Sequence, residues 1–123
     1  MAEPAVPRIL CVEDDKDSRE VITALLSEAG CEVVTAPTPT EGLKLARGGG
    51  FAVMVLDNWY EKGSGIELCK QIRKFDADTP IIFYSGAAGQ SDIQSGLSAG
   101  AQDYLIKPYI ENLVSSVSRL IPK

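Results

Sequence analysis

The sequence predicts an α/β fold: five alternating strand–helix units, (βα)5, forming a doubly wound five-stranded parallel sheet. Three observations carry this reading. Five short apolar runs recur at near-even spacing: Arg8–Val12, Glu32–Thr35, Phe51–Leu56, Pro80–Tyr84 and Gln102–Ile106. Three of them, holding ILCV, AVMVL and IIFY, are continuously apolar, as strands buried on both faces of a parallel sheet are. The segments between them have helical length and period, and such alternation gives a parallel sheet with right-handed crossovers and helices on both faces.

Taken in order, Met1–Pro7 holds two prolines and no apolar core, so it reads as a short disordered tail rather than a signal peptide. The domain is expected over residues 8–121. After the first strand, Val21, Ile22, Leu25, Leu26 and Ala29 make a helical stripe, with Asp15 or Asp17 as N-cap, Asp17…Glu20 as a weak capping pair, and Gly30 just past the end. The second helix opens on Thr38-Pro39-Thr40-Glu41: a capping threonine, proline in the first turn, and glutamate three after the cap. Gly48-Gly49-Gly50 is a loop; no Lys-Ser/Thr follows it, so it is not a phosphate cradle. Ser64…Glu67 and Ser91…Gln94 repeat the capping spacing for the third and fourth helices, and Gly100 follows the fourth. Ile110, Leu113, Val114, Val117, Leu120 and Ile121 give the last helix an apolar face at 3–4 spacing.

Composition narrows the function. The 123 residues suit one domain, and 45% apolar content gives it a core. A net charge of −5 argues against non-specific nucleic-acid or anionic-membrane binding, which needs a basic surface. Three sparse cysteines read as reduced, buried thiols, and no apolar run is long enough to span a bilayer, so a cytoplasmic protein is expected. The absence of histidine removes His-based zinc sites, Ser-His and Cys-His catalysis, and a phosphohistidine on this chain.

The strands of a parallel sheet all end at one edge, where ligands bind. Strand one ends in Glu13-Asp14-Asp15, strand three in Asp57, strand four in Ser85 and strand five in Lys107-Pro108. Crowded carboxylates repel unless a cation sits among them. An all-oxygen donor set selects a hard ion, and Mg²⁺ fits one or two carboxylates plus waters and a phosphate. The three negative charges of Glu13, Asp14 and Asp57 are matched by Mg²⁺ and Lys107, so an arriving phosphoryl group meets no net negative field. A carboxylate there can act as nucleophile on phosphorus. Asp15 is left out of the metal shell as a helix cap.

The VEDD of strand one, the LD ending strand three, the YSG ending strand four and GAQDYLIKP near the C-terminus together resemble a response-regulator receiver domain of two-component (phosphorelay) signalling, of the chemotaxis-regulator-like kind. The resemblance spans about residues 8–121. It implies the flavodoxin-like strand order 2-1-3-4-5. It implies Asp57 as phosphoacceptor. Mg²⁺ would be bound by Asp14, Asp57 and the Trp59 backbone carbonyl, with Glu13 acting through a water. Ser85 and Lys107 would contact the phosphoryl group, with the backbone N–H groups of Gly86 and Asn58. Tyr104 would be the aromatic that turns inward when Ser85 moves. The implied protein is regulatory rather than an enzyme, its only chemistry being its own aspartyl phosphorylation and dephosphorylation.

The loop after Asp57 departs from the family pattern. Glu61 stands where a proline is usual, which frees the backbone and predicts a more mobile loop. Trp59 is bulky at the mouth of the site and either shields the acyl phosphate from water or packs over the loop. Gly86 replaces the usual alanine.

The resemblance also implies partners. The donor is a sensor histidine kinase or histidine phosphotransfer protein, docking on the first helix at Ser18 and Arg19 and on the loop after Lys107. Phosphorylation would reshape the face of the fourth helix, fifth strand and fifth helix for an effector protein or domain. No Lys or Arg occurs from Phe75 through Ile106, which argues against the charged dimer of winged-helix regulators. No direct nucleic-acid or membrane binding by this domain is expected. A stand-alone protein and an excised domain both fit. The alternatives are a degenerate receiver acting as a phosphorylation-independent interaction module, and a small flavodoxin-like binding or hydrolytic domain. The latter lacks a Walker loop and a G-x-G-x-x-G after strand one.

Overall fold

A computed structural model describes residues 6–121. The order is β1 (Arg8–Val12), α1 (Lys16–Glu28), β2 (Glu32–Ala36), α2 (Pro39–Gly48), β3 (Val53–Leu56), β4 (Trp59–Tyr60), β5 (Gly63–Ser64), α3 (Gly65–Arg73), β6 (Ile81–Ser85), α4 (Gln90–Ser98), β7 (Asp103–Ile106) and α5 (Ile110–Leu120). The main sheet is parallel with order β2-β1-β3-β6-β7. This is the expected 2-1-3-4-5 arrangement once the small β4–β5 hairpin is set aside. Of the expected tail, residues 1–5 lie outside the described residues. Pro7 is joined to the sheet, its carbonyl accepting from Glu32 N–H (2.9 Å).

The continuously apolar runs are buried on both faces. Leu10, Met54, Leu56, Ile81 and Phe83 face α2, α3 and α4, while Ile9, Cys11, Val53, Val55 and Ile82 face α1 and α5. Alternate residues of one strand therefore serve opposite cores. Each large apolar side chain removed from water contributes about 1.5–3 kcal/mol. The α1 stripe is narrower than its spacing predicts: Ile22 and Leu26 are buried but Val21 is 51% exposed. All three cysteines are free and buried. Burial pushes the Cys69 thiol up to about 11 and the Cys11 thiol up to about 12, so both stay protonated.

The caps follow the side chains. Asp15 is the N-cap of α1, its carboxylate accepting from Ser18 N–H (2.8 Å), rather than Asp17. Thr38 and Ser64 cap α2 and α3 through the N–H groups of Glu41 and Glu67. Ser91 is not the cap of α4: the helix is capped two residues earlier, at Gly89, where Asp92 reaches back to accept Gly89 N–H (3.1 Å).

The loop after Asp57, for which greater mobility is expected, contains a short hairpin. β4 and β5 pair antiparallel, Trp59 opposite Ser64 and Tyr60 opposite Gly63. Tyr60 locks it to the sheet edge: its buried hydroxyl accepts from Asp57 N–H (2.8 Å) and donates to the Val12 carbonyl (2.9 Å), bridging the ends of β3 and β1. The missing proline matters here for a specific reason. Glu61 has an N–H, and it donates to Asp14 Oδ2 (2.8 Å); a proline could not. Gly65 closes the hairpin against β3, its N–H donating to the Asn58 carbonyl, and a Cβ at 65 would collide with the Asp57 backbone oxygen.

Two outcomes are expected in urea unfolding. Tyr60→Phe leaves a buried N–H and a buried carbonyl without their partner and lowers stability by about 1–3 kcal/mol; an unchanged midpoint would show that the bridge contributes nothing. Gly65→Ala costs about 1–3 kcal/mol through overpacking, whereas Gly48→Ala, with open space around its Cβ, is neutral or slightly stabilising.

Candidate functional site

The C-terminal edge of the sheet gathers four strand ends. Val12 leads directly into Glu13 and Asp14, Leu56 into Asp57, β6 finishes on Ser85, and β7 runs into Lys107. Glu13 is 2% exposed and Asp57 8% exposed. The Lys107 ammonium lies between them, 2.7 Å from Asp57 Oδ2 and 3.0 Å from Glu13 Oε2. The Lys107–Pro108 peptide is cis.

The electrostatics follow from this sharing. Burial raises the Glu13 carboxyl above its ordinary range, and the Lys107 charge and hydrogen bond offset only part of that. Burial pulls Lys107 down, but its hydrogen bond to Asp57 and the charges of Asp57 and Glu13 outweigh this, and its affinity for its proton is raised. Lys107 is thus firmly a cation, and Glu13 carries an ionised form that is costly to bury.

The two oxygens of Asp57 face different neighbours. Oδ2 takes Lys107, while Oδ1 accepts the backbone N–H of Asn58 (2.7 Å) and, at longer range, that of Trp59 (3.4 Å). Ser85 is 1% exposed, and its Oγ accepts the Ala87 N–H (3.1 Å). Gly86 is exposed beside it, with open space around its Cα. Trp59 is 62% exposed at the start of the hairpin. Tyr104 points inward, 8% exposed, stacked on Phe83 with ring centroids 5.5 Å apart.

Asp14 stands at the exposed rim, one oxygen engaged by Glu61 N–H. Among the described residues no three His, Cys, Asp or Glu side chains converge as a metal cage. The expected set of Glu13, Asp14 and Asp57 is therefore not a closed one. Lys107 occupies the space between Glu13 and Asp57, and the hairpin holds Asp14. The donors present still fit Mg²⁺, which keeps several waters and takes one or two carboxylates rather than an all-protein cage.

Two residues were placed differently by their spacing. Arg19 was expected as an exposed docking residue on α1. Instead it is half-buried, and its Nη1 donates to the carbonyls of both Glu13 and Asp14 (3.0 Å each). A guanidinium presents several donors in a fixed fork, and carbonyls just ahead of a helix are within its reach. Ser18 is half-buried too and lines a cleft with Val21, Tyr84, Lys107, Pro108 and Ile110. Tyr60 and the Asn58 side chain were not singled out at all. The one signal available was a polar-tipped aromatic and an amide directly after a strand that is apolar throughout.

Comparison with known proteins identifies the family and the fold. Residues 9–118 match the family model of the response regulator receiver domain. The transcriptional regulatory protein DltR of Streptococcus agalactiae is 37% identical over 102 residues, covering 83% of this chain and 46% of that protein. The response regulator MprA of Mycobacterium leprae is 35% identical over 115 residues, covering 93% of this chain and 50% of that protein. The chain thus spans about half the length of the curated relatives it matches. Among solved structures, the receiver domain of the Francisella response regulator 1452 superposes with a TM-score of 0.87 at 32% identity, covering 93% of this chain and 95% of that one. The Vibrio cholerae chemotaxis protein CheY4 does so with a TM-score of 0.86 at 30% identity, covering 95% and 100%. With a family model matched across nearly its whole length, the chain belongs to the response regulator receiver domains, the regulatory signalling domains of two-component systems.

Proposed function

We propose that this domain is a phosphorylation-dependent switch whose acceptor is Asp57. The donor is a phosphohistidine on a sensor histidine kinase or histidine phosphotransfer protein, since the chain has no histidine of its own. A carboxylate oxygen of Asp57 attacks phosphorus, and the bond from phosphorus to the donor imidazole breaks. The observation that carries this reading is the shared ammonium: Lys107 sits 2.7 Å from Asp57 Oδ2 and 3.0 Å from Glu13 Oε2. A cation fixed at the acceptor oxygen is placed to meet the charge of a phosphoryl group.

The other groups take roles suited to their positions. Ser85 ends the neighbouring strand with a hydroxyl, the Asn58 N–H bonds the acceptor carboxylate, and the Gly86 N–H, next along from Ser85, would contact the phosphoryl group. Receiver domains generally bind Mg²⁺ at the phosphorylation site. Here Asp14, Asp57 and the Trp59 carbonyl would hold it, with Glu13 acting through a water. Bound there, Mg²⁺ supplies positive charge that neutralises the phosphoryl oxygens and orients them. Arg19 fixes the backbone of the acidic pair, and Tyr60 fixes the backbone of the acceptor. The output is the α4–β7–α5 face, which an effector protein or domain would read. No helix among the described residues is long and apolar enough to cross a membrane. A cytoplasmic location and the absence of nucleic-acid binding by this domain belong to the same proposal.

Intact-mass spectrometry after incubation with acetyl phosphate tests the reading. Wild type should gain one phosphoryl mass only with Mg²⁺ present, and Asp57→Asn should gain none. A folded wild-type protein that gains nothing from acetyl phosphate or from a phosphorylated histidine phosphotransfer protein would favour a phosphorylation-independent interaction module.

A second prediction concerns Lys107. Lys107→Ala leaves the buried Glu13 carboxylate without its counter-charge and costs about 3 kcal/mol near neutral pH. The folded Glu13 carboxyl is already raised above its unfolded value, and loss of Lys107 raises it further. A raised carboxyl gains a proton on folding, so the variant recovers stability as pH falls through that raised value. The gap between wild type and variant should narrow on acidification, read as converging urea midpoints; a constant gap from neutral to acid pH would rule Glu13 out as the cause.

A further inference from the structure

Asn58 has a side chain that the phosphorylation chemistry does not use, and it is 1% exposed. Its backbone is pinned at both ends: the N–H donates to Asp57 Oδ1 (2.7 Å) and the carbonyl accepts from Gly65 N–H (2.6 Å). The side chain is thereby aimed away from the acceptor, under α4. There its Nδ2 donates to the Tyr104 hydroxyl (3.0 Å). That hydroxyl has one proton, and it is given to the Ala87 carbonyl (2.6 Å). Asn58 must then present its donor, not its acceptor, to the tyrosine. Its Oδ1 is left buried with no hydrogen-bond partner among the described residues. Buried amide oxygens seldom go unpaired. This one is unpaired because the amide is committed to Tyr104.

The ring has a seat built for it from a second direction. Gly96, buried on α4, has no side chain where a Cβ would lie 2.8 Å from Tyr104 Cδ2 and 3.1 Å from Phe83 Cδ2. Glycine is a poor residue for a helix interior, and here its bare face is occupied by the Tyr104 ring. Phe83 stacks on that ring, so the bare face of Gly96 borders both aromatic rings.

We infer that Asn58 is a positioning residue that holds Tyr104 in a buried seat beneath Gly96, tying the peptide next to the acceptor to the α4–β7–α5 face. Asp57 and Tyr104 are joined through one residue: backbone N–H to the carboxylate on one side, side-chain amide to the phenol on the other. Charge added at Asp57 competes for that N–H, and any shift of the Asn58 peptide moves the amide that anchors the ring. Ser85 reaches the same phenol by a second route, since its Oγ accepts the N–H of Ala87, whose carbonyl accepts the Tyr104 hydroxyl; the Asn58 route starts instead from the acceptor's own neighbour. The consequence for output rests on the proposed phosphorylation of Asp57; the holding of Tyr104 does not.

The experiment uses Asn58→Leu, which keeps the volume and removes both the bond and the unpaired oxygen. Tyrosine ring signals are assigned by single Tyr→Phe changes and recorded with a soluble gadolinium chelate. In wild type, Tyr104 should be protected like Tyr60, and far better than Tyr109, which is 60% exposed. In Asn58→Leu, broadening of Tyr104 should rise several-fold while Tyr60 is unmoved. Unchanged protection of Tyr104, or an equal rise at Tyr60 from general loosening, would overturn the inference. Asn58→Ser, too short to reach the phenol, gives the same readout should the leucine variant not fold. The second arm adds acetyl phosphate and Mg²⁺. Compared at equal phosphoryl occupancy, read by intact mass, Asn58→Leu should show smaller amide shifts of Gly96 and Leu97 than wild type shows on phosphorylation. Full-size shifts in the variant would overturn the tie between the two sites. A wild type that takes no phosphoryl group would sink the proposed function instead, and the gadolinium arm would still decide whether Asn58 holds the ring.

Discussion

One ammonium group holds the functional edge of this domain together. Lys107 arrives from the last strand and contacts carboxylates from the first and third, 3.0 Å from Glu13 and 2.7 Å from Asp57. Neither carboxylate could be buried as it is without a counter-charge, because ionised groups lose far more hydration than burial returns. The sheet supplies the positions: parallel strands end together, so a lysine fifty residues from Asp57 in the chain lies against it in space. Burial sets the tension. It raises Glu13 and tends to lower Lys107, and their pairing, with Asp57, keeps the ammonium charged.

Around that charge cluster the strand ends are fixed by hydrogen bonds that do not involve the ammonium. Tyr60 bridges Asp57 N–H and the Val12 carbonyl, closing the gap where β1 and β3 separate beyond their last ladder bond. Arg19 takes the carbonyls of Glu13 and Asp14. Glu61 N–H takes Asp14 Oδ2. These are bonds between neighbouring segments, and they fix the backbone on either side of Asp57. Such fixed surroundings suit the acceptor role proposed for Asp57, since a group that must be met in line depends on its position.

The opposite side of the edge is built differently. Tyr104, Phe83 and Gly96 form an apolar seat with two hydrogen bonds at its end, from Asn58 and to Ala87. Packed interiors shift between discrete arrangements rather than deforming smoothly. The Tyr104 ring is buried in that seat, between the acidic edge and α4.

Much of this was legible in the sequence. Continuous apolar runs fixed the parallel sheet, because a strand covered on both faces needs no polar side. The caps Thr38 and Ser64 were readable because capping is a local matter of three residues. The convergence of Glu13, Asp14, Asp57, Ser85 and Lys107 on one edge followed from strand ends alone. What only the tertiary structure decided were the contacts that depend on how far a side chain reaches across the fold. Arg19 turned back onto the acidic loop instead of facing outward, and Asp92 displaced Ser91 at the start of α4. Lys107 took the space that a tighter carboxylate set would need. Tyr60, Asn58 and Glu61 anchored a hairpin in the loop after Asp57, because an N–H or a hydroxyl finds its partner by position in space, which spacing along the chain does not carry.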